Sequence, residues 1–340
     1  MRYSVLRVHL EHYFAKPSIF RLSPELIRAN RRNNRDLGRS VRFSIGEDLA
    51  GLESRLRTTD VLVTSSDVVR DTRFPRARLA QAAPRLRMLH LIGAGVEGLL
   101  PLDWLPPAVK LTNNSGVHVG KAREFLLMGL LALNARLPAM VWSQRHARWD
   151  QHHLFTPLIG GKTLAVVGLG NLGRTAVATG RMLGLKIIGV RRTGKKVPGV
   201  DRVYPPAQIC AALAAADFVV VAAPLTAQTR NLLDRKVLAS TKAGVGIINI
   251  GRAGVIDYTA LAALLTSRHV SGAILDVFSP EPLPPDSALW STPNLIISPH
   301  VSSDDLDGYM TGTMDLVCRN LRRLMARRPL ENVVDRHLEY

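Results

Sequence analysis

Two kinds of apolar pattern alternate along the chain. Short runs such as "VLRVHL" (5–10), "VRFSI" (41–45), "DVLVTSS" (60–66), "RMLHLIG" (87–93) and "VKLTN" (109–113) have the length and β-branched content of strands. Between the first two lies "SPELIRANRRNN", with Ser23 and Pro24 where a helix would begin: serine caps first-turn amides, and proline is tolerated there because those amides lack helical partners. After "NNSGVH" the pattern changes to "KAREFLLMGLLALNARLPAMVWSQ" (121–144), with leucines and alanines near helical spacing and few turn residues before Pro138. A domain boundary is expected near Val117. The connector "RHARWDQHHLFTPLIGGK" leads into a second βαβ series, "KTLAVVGLG", "LKIIGVRR", "DFVVVAAPL", "GVGIINI", "SGAILDVF" and "NLIISPH". These runs are almost continuously apolar, as parallel strands covered by helices on both faces must be. The last stretch, "DLDGYMTGTMDLVCRNLRRLMARRPL", reads as an amphipathic helix and tail that packs back on the first series. The expectation is an α/β protein of two domains, residues 1–117 with 305–340, and residues 118–304.

Composition narrows this picture without naming a function. A chain of 340 residues with 46% hydrophobic content can bury two cores, and no apolar run approaches the roughly 20 residues that a membrane helix needs. The N-terminus lacks a continuous apolar signal core, so a cytoplasmic protein is expected. Cys210 and Cys318 are the two cysteines, too few for a disulfide framework. A formal net charge of +18 suggests attraction for anions, whether nucleic acid, an acidic surface or small phosphorylated and carboxylated ligands, but the cations are scattered along the whole chain, so a general over-use of arginine across the surface is the favoured reading and a nucleic-acid partner is not expected. His9 with Glu11 and His12, and the pair His152 and His153, lack a third ligand at a recognisable spacing, so no metal is expected. Trp142 and Trp149 flank the connector, where packing is the favoured role over lining a cleft or a dimer contact.

The sharpest local signal is "AVVGLGNLGRTAVATGRMLGLKIIGV". Gly168, Gly170 and Gly173 form G-x-G-x-x-G after an apolar strand and at the opening of a helix. One glycine serves the tight turn, one the approach of backbone to a pyrophosphate, and one close helix–strand packing. Amides of Asn171 and Leu172 at the helix N-terminus would then face the phosphates. A glycine turn with no ligand is the plain alternative. At the end of the next strand an Asp or Glu would bind the ribose of NAD(H); Arg191, with Arg192 and Thr193, stands there instead and suits a 2′-phosphate. NADP(H) is preferred, NAD(H) stays open, and a solvated basic loop with Lys195 and Lys196 is the alternative.

Three later strands each end in chemistry. "INIGRAGVID" places Arg252 past one, "DVFSPEPLP" places Asp276 and Glu281 past another, and "IISPH" places His300 past a third. Ligands of open α/β sheets collect at the carboxyl ends of strands. A guanidinium grips a carboxylate, an imidazole trades a proton with an oxygen, and a carboxylate holds and charges that imidazole. Each residue alone is ambiguous.

Taken in order, the glycine motif, "NIGRAGVID", "DVFSPEPLP" and "SPH" resemble the D-isomer-specific 2-hydroxyacid dehydrogenases over nearly the whole chain. The resemblance implies two Rossmann-like domains with parallel sheets, a flavodoxin-like discontinuous substrate domain and a dinucleotide-binding domain, commonly in a homodimer. It also implies that Arg252 binds the substrate carboxylate and His300 is the acid/base paired with Glu281. Asp276 would lie near the nicotinamide carboxamide, with Pro224 and Ile250 completing the cofactor contacts, and the amides of Ala94, Gly95 and Val96 in "IGAGVEGL" would hold the carboxylate from the other side. Arg191 in place of the usual acid points to the NADPH-using glyoxylate/hydroxypyruvate reductases, which reduce a small 2-oxo acid to the D-2-hydroxy acid. The rivals are a dinucleotide-sensing, corepressor-like binding protein and a dehydrogenase of another anion such as phosphite.

Overall fold

The apolar runs become strands, and all of these strands pair in parallel. The structure is a computed structural model and describes residues 5–12, 17–152 and 154–340. The chain divides into two compact units, Met1–His118 with Asp304–Tyr340, and Val119–Ser303.

The first unit holds β1 (Leu6–Glu11), β2 (Val41–Gly46), β3 (Val61–Thr64), β4 (Met88–Leu91) and β5 (Lys110–Thr112), in the order β2-β1-β3-β4-β5. This is the flavodoxin-like order of the doubly wound folds. The residues of β3 and β4 are buried throughout, so both sheet faces are covered. One core lies around Leu62, Leu89 and Leu91, and another joins β1 to the helix Tyr309–Met325 through Met314, Val317 and Leu321. The last segment therefore belongs to the first unit's core. The helix Pro24–Asn33 starts where the serine predicts: Ser23 Oγ accepts from Leu26 N at 3.2 Å, a cap worth about 1 kcal/mol.

The second unit holds β6 (Thr163–Val167), β7 (Lys186–Val190), β8 (Arg202–Tyr204), β9 (Phe218–Val221), β10 (Val245–Asn249), β11 (Val270–Leu275) and β12 (Leu295–Ile297), ordered β12-β11-β10-β9-β6-β7-β8. Counted from β6, this is the 3-2-1-4-5-6 order of a dinucleotide fold with one further edge strand. The expected fold class of two parallel sheets is thus observed. Strand β8 escapes the hydrophobic pattern because it is three residues long and begins with an arginine. The apolar run at 121–144 is not one helix. It breaks into Val119–Asn134 and Leu137–Arg145, bent by 67°, with Arg136 at a left-handed φ of 60°. The first piece packs on β10 and β11 so closely that a Cβ on Gly129 would lie 2.9 Å from Ile248 Cδ1. Among the described residues no single helix is long and apolar enough to cross a membrane.

Candidate active site

The glycine turn joins β6 to the helix Asn171–Met182, and each of its glycines meets a different constraint. Gly168 has φ 92°, and a Cβ there would sit 2.7 Å from backbone atoms of Ala223. A Cβ on Gly173 would lie 1.8 Å from Gly168 O, so helix and turn touch as backbone only. Gly170, the N-cap, differs: a Cβ there would meet nothing within 4 Å. A side chain at 170 would fill space above the helix N-terminus that the pyrophosphate of a dinucleotide can use instead, with its charge favoured by the helix dipole. The turn fits such a cofactor.

Arg191 follows β7 directly, and its amide donates to Tyr204 O of β8 at 3.1 Å. Arg191 is half-buried, while Arg192 and Thr193 are exposed. The short strand β8 is what fixes this corner. The guanidinium of its Arg202 stacks over the Tyr204 ring at 4.6 Å. Pro224 is exposed past β9, and Ile250 is 4% exposed past β10.

The chemical groups follow β10, β11 and β12, which are neighbours in the sheet. Asn249, fully buried at the end of β10, organises the Arg252 turn: its Oδ1 accepts from Gly251 N at 3.0 Å, and its Nδ2 donates to Arg252 O at 3.1 Å and to Tyr258 Oη at 2.9 Å. Tyr258 in turn donates to Val277 O at 2.8 Å, so the turns after β10 and β11 are tied together. Burial pushes the Tyr258 hydroxyl well above its usual range, which keeps it a donor. Arg252 is half-buried and donates to Gly251 O at 2.7 Å.

His300 and Glu281 meet. Nδ1 of His300 lies 2.7 Å from Glu281 Oε2, and Glu281 Oε1 accepts from Phe278 N, also at 2.7 Å. A carboxylate accepts only, so the bond places the proton on Nδ1 and leaves Nε2 as the exchanging nitrogen. The imidazole is 47% and the carboxylate 35% exposed, accessible to a reactant. His300 also has a left-handed φ of 58°, a conformation that costs a non-glycine residue free energy and needs support. The support comes from Asp276. This side chain is 1% exposed, and its Oδ1 accepts from Ser298 Oγ (2.7 Å), Val301 N (2.9 Å) and Ser302 N (3.1 Å), bracketing His300 on both sides.

In the first unit, Ala94, Gly95 and Val96 lie in the bend after β4. Asn113 Nδ2 donates to Ala94 O at 2.8 Å, and Asn114 donates to Gly93 O through its amide and to Ile92 O through Nδ2 at 2.7 Å. Tyr309 Oη also donates to Ile92 O, at 2.8 Å. Beneath them His90, fully buried, bonds Thr112 Oγ1 and Asn114 Oδ1, and burial pushes its pKa down to about 4.

Sequence reasoning missed Asn249, Tyr258, Ser298, His90 and Asn114. The asparagine pair in "TNNSG" and the lone asparagine in "IINIG" were the available signals. The His9 and Glu11 candidates belong to one hydrogen-bonded cluster, with Glu11 Oε2 2.9 Å from both His9 Nε2 and Arg55 Nη2. His153 lies outside the described residues, and among the described residues no cluster of three potential metal ligands occurs. Trp149 does not pack: it is 92% exposed, whereas Trp142 stacks on His146 with ring centroids 4.4 Å apart.

The strand order, the glycine turn and the charged groups past three adjacent strands define a dinucleotide-dependent enzyme class. The family description "D-isomer specific 2-hydroxyacid dehydrogenase, NAD binding domain" matches residues 127–302, more than half of the chain, and the chain belongs to this family. A D-3-phosphoglycerate dehydrogenase of Mycobacterium bovis is 30% identical over 286 residues, which cover 84% of this chain and 53% of that one. The chain thus spans about half the length of such relatives. Two solved structures match nearly end to end. A D-isomer specific 2-hydroxyacid dehydrogenase of Xanthobacter autotrophicus, solved with NADPH and MES, has a TM-score of 0.79, 28% identity, and 98% and 99% coverage of the two chains. An NADPH-dependent glyoxylate/hydroxypyruvate reductase of Sinorhizobium meliloti, solved with NADP and sulfate, has a TM-score of 0.77, 27% identity, and 98% and 100% coverage.

Proposed function

We propose that the protein reduces a small 2-oxo acid, of the glyoxylate or hydroxypyruvate type, to the D-2-hydroxy acid with NADPH. The observation that carries this reading is the 2.7 Å His300–Glu281 bond, which orients the ring so that Nε2 can exchange a proton with a reactant. Arg252 holds the substrate carboxylate and favours the negative charge that develops on the keto oxygen. His300 Nε2 gives that oxygen its proton, and in the reverse direction takes it back. Glu281, fixed by Phe278 N, stabilises the imidazolium without exchanging the proton itself. A dinucleotide held there would supply the hydride. Gly168, Gly170 and Gly173 with the amides of Asn171 and Leu172 would hold its pyrophosphate, and Arg191, Arg192 and Thr193 its 2′-phosphate.

The matched structures solved with NADPH and NADP support the cofactor assignment, as does the absence of an acid directly after β7. The proposed assembly is a homodimer. Trp149, Phe155 (72% exposed) and Leu158 (89% exposed) offer an apolar segment to a second copy, beside a cavity of about 640 Å³ lined by Met140, Leu154 and Phe155. Sedimentation of wild type against Trp149→Ser tests this, with a shift toward monomer expected. The activity is tested by following NADPH oxidation with glyoxylate, hydroxypyruvate and larger 2-oxo acids. Turnover on at least one is expected, and none on any would end the proposal.

A further inference from the structure

The polar groups past β10 and β11 form a continuous line. Asn249 Oδ1 accepts from Gly251 N at 3.0 Å, and Asn249 Nδ2 donates to Tyr258 Oη at 2.9 Å. Tyr258 Oη donates to Val277 O at 2.8 Å, and Phe278 N donates to Glu281 Oε1 at 2.7 Å. Val277 O and Phe278 N are the two ends of one peptide group. The four bonds therefore run head to tail, from the amide beside Arg252 to the carboxylate beside His300, and cross two amide groups, the Asn249 side chain and the Val277–Phe278 peptide.

The common direction of these bonds matters. When an amide oxygen accepts a hydrogen bond, the group polarises and its N–H becomes a better donor, so bonds that all point one way strengthen one another. The line ends on a carboxylate, and hydrogen bonds to an ionised group are roughly twice as strong as neutral ones. Tyr258 is the one group in the line that donates and accepts through the same atom. Both neighbours fix its direction, because Asn249 Nδ2 can only donate and Val277 O can only accept. Burial, with the carboxylates of Glu281 and Asp276 nearby, pushes its pKa well above the usual range, so the proton stays in place.

The ring is anchored as well. Tyr258 opens the helix Tyr258–Thr266, whose N-cap Asp257 accepts from Ala260 N at 2.9 Å, and it meets Phe278 edge-on with centroids 6.0 Å apart. The last bond of the line has a mechanical consequence. Phe278 N holds one oxygen of Glu281 while the other, Oε2, lies 2.7 Å from His300 Nδ1, so the bond from Phe278 fixes the rotation of the carboxylate that orients the imidazole. At the opposite end, Asn249 Nδ2 also donates to Arg252 O at 3.1 Å. One hydroxyl thus joins the turn of the guanidinium to the turn of the acid/base pair.

We infer that Tyr258 is a positioning residue, whose hydroxyl strengthens the bond from Phe278 to Glu281 through the shared peptide group and thereby holds His300 in line with the Arg252 turn. This rests on the proposed 2-oxo acid reduction and deepens it, since Tyr258 acts through Glu281 rather than on a reactant. Tyr258→Phe removes the hydroxyl and keeps the ring. In protein labelled with 15N-phenylalanine, the Phe278 amide proton is expected to move upfield in this variant, because its bond to Glu281 weakens. In steady-state assays kcat is expected to fall about tenfold, with the KM for NADPH unchanged. A double-mutant cycle separates positioning from simple loss of structure: Tyr258→Phe is expected to cost less than about twofold in a Glu281→Gln background. Should Tyr258→Phe fail to fold, Asn249→Ser, which cuts the line one bond earlier, takes its place with the same expectations. An equal loss in both backgrounds, or an unmoved Phe278 amide, overturns the relay while leaving the reaction standing. Absence of turnover on every 2-oxo acid overturns the reaction, and the amide shift alone then decides the relay.

Discussion

The carboxyl edges of the two sheets are built from opposite materials. Past β6 to β12 the functional groups are charged and accessible: His300 is 47% and Glu281 35% exposed, and glycines open the backbone where a phosphate would come. Past β1 to β5 the polar groups are mostly neutral and buried, with His90 and Asn114 at 0% and His12 and Ser65 at 2% and 4%. Groups that trade protons must reach a reactant. Groups that hold a loop gain from a dry setting, where each hydrogen bond is stronger and each missing one costs more.

The comparison breaks most visibly at His300. If the accessible edge performs the chemistry, His300→Ala lowers kcat by about 10³-fold or more in steady-state assays, and full retention of activity removes the imidazole from the mechanism. Asp276 sharpens the distinction between a group that reacts and a group that positions. Because its carboxylate brackets the left-handed His300 turn, Asp276→Ala is expected to lower kcat by about 100-fold with little change in the KM for NADPH. A rise in that KM at unchanged kcat would instead place Asp276 on the nicotinamide carboxamide. Arg191→Asp replaces charge-assisted donors with a repelling acid. It should shift the ratio of kcat/KM for NADPH over NADH by about 50-fold toward NADH, and an unmoved ratio would make the basic corner a solvated loop.

The smallest effect belongs to the buried edge and is one of stability. His90 titrates near 6.5 in the unfolded chain but at about 4 in the native state, because burial disfavours its cation. Above pH 6.5 neither state binds the proton. As the pH falls toward 4 the unfolded chain gains a proton that the native state lacks, so the stability that His90 contributes falls by about 2 kcal/mol between pH 7 and pH 5. Urea unfolding at the two pH values measures this. His90→Gln should reduce the dependence, and His118, which burial also pushes down to about 4, and His12, whose pKa burial also lowers, contribute to the part that remains.

The same contrast explains what could be read from the chain beforehand. Long apolar runs and a glycine motif are local signals, so every strand but β8, the parallel sheets and the positions of Arg252, Glu281 and His300 past strand ends could be read from the sequence. The bend at Arg136 was not, because a left-handed residue in a leucine-rich run carries no compositional mark. Strand β8 was missed for its brevity. Tyr258 and Ser298 were hidden for another reason: each bonds a residue from a different turn, and only the folded sheet brings those turns together.

The central claim is stereospecific reduction, and the configuration of the product tests it most directly. Purified protein is incubated with NADPH and hydroxypyruvate, and the glycerate formed is resolved by chiral chromatography and compared with the NADPH consumed. The account predicts the D-isomer, one molecule for each NADPH oxidised, and loss of that product in His300→Ala. The L-isomer, or NADPH consumption without glycerate, would contradict it.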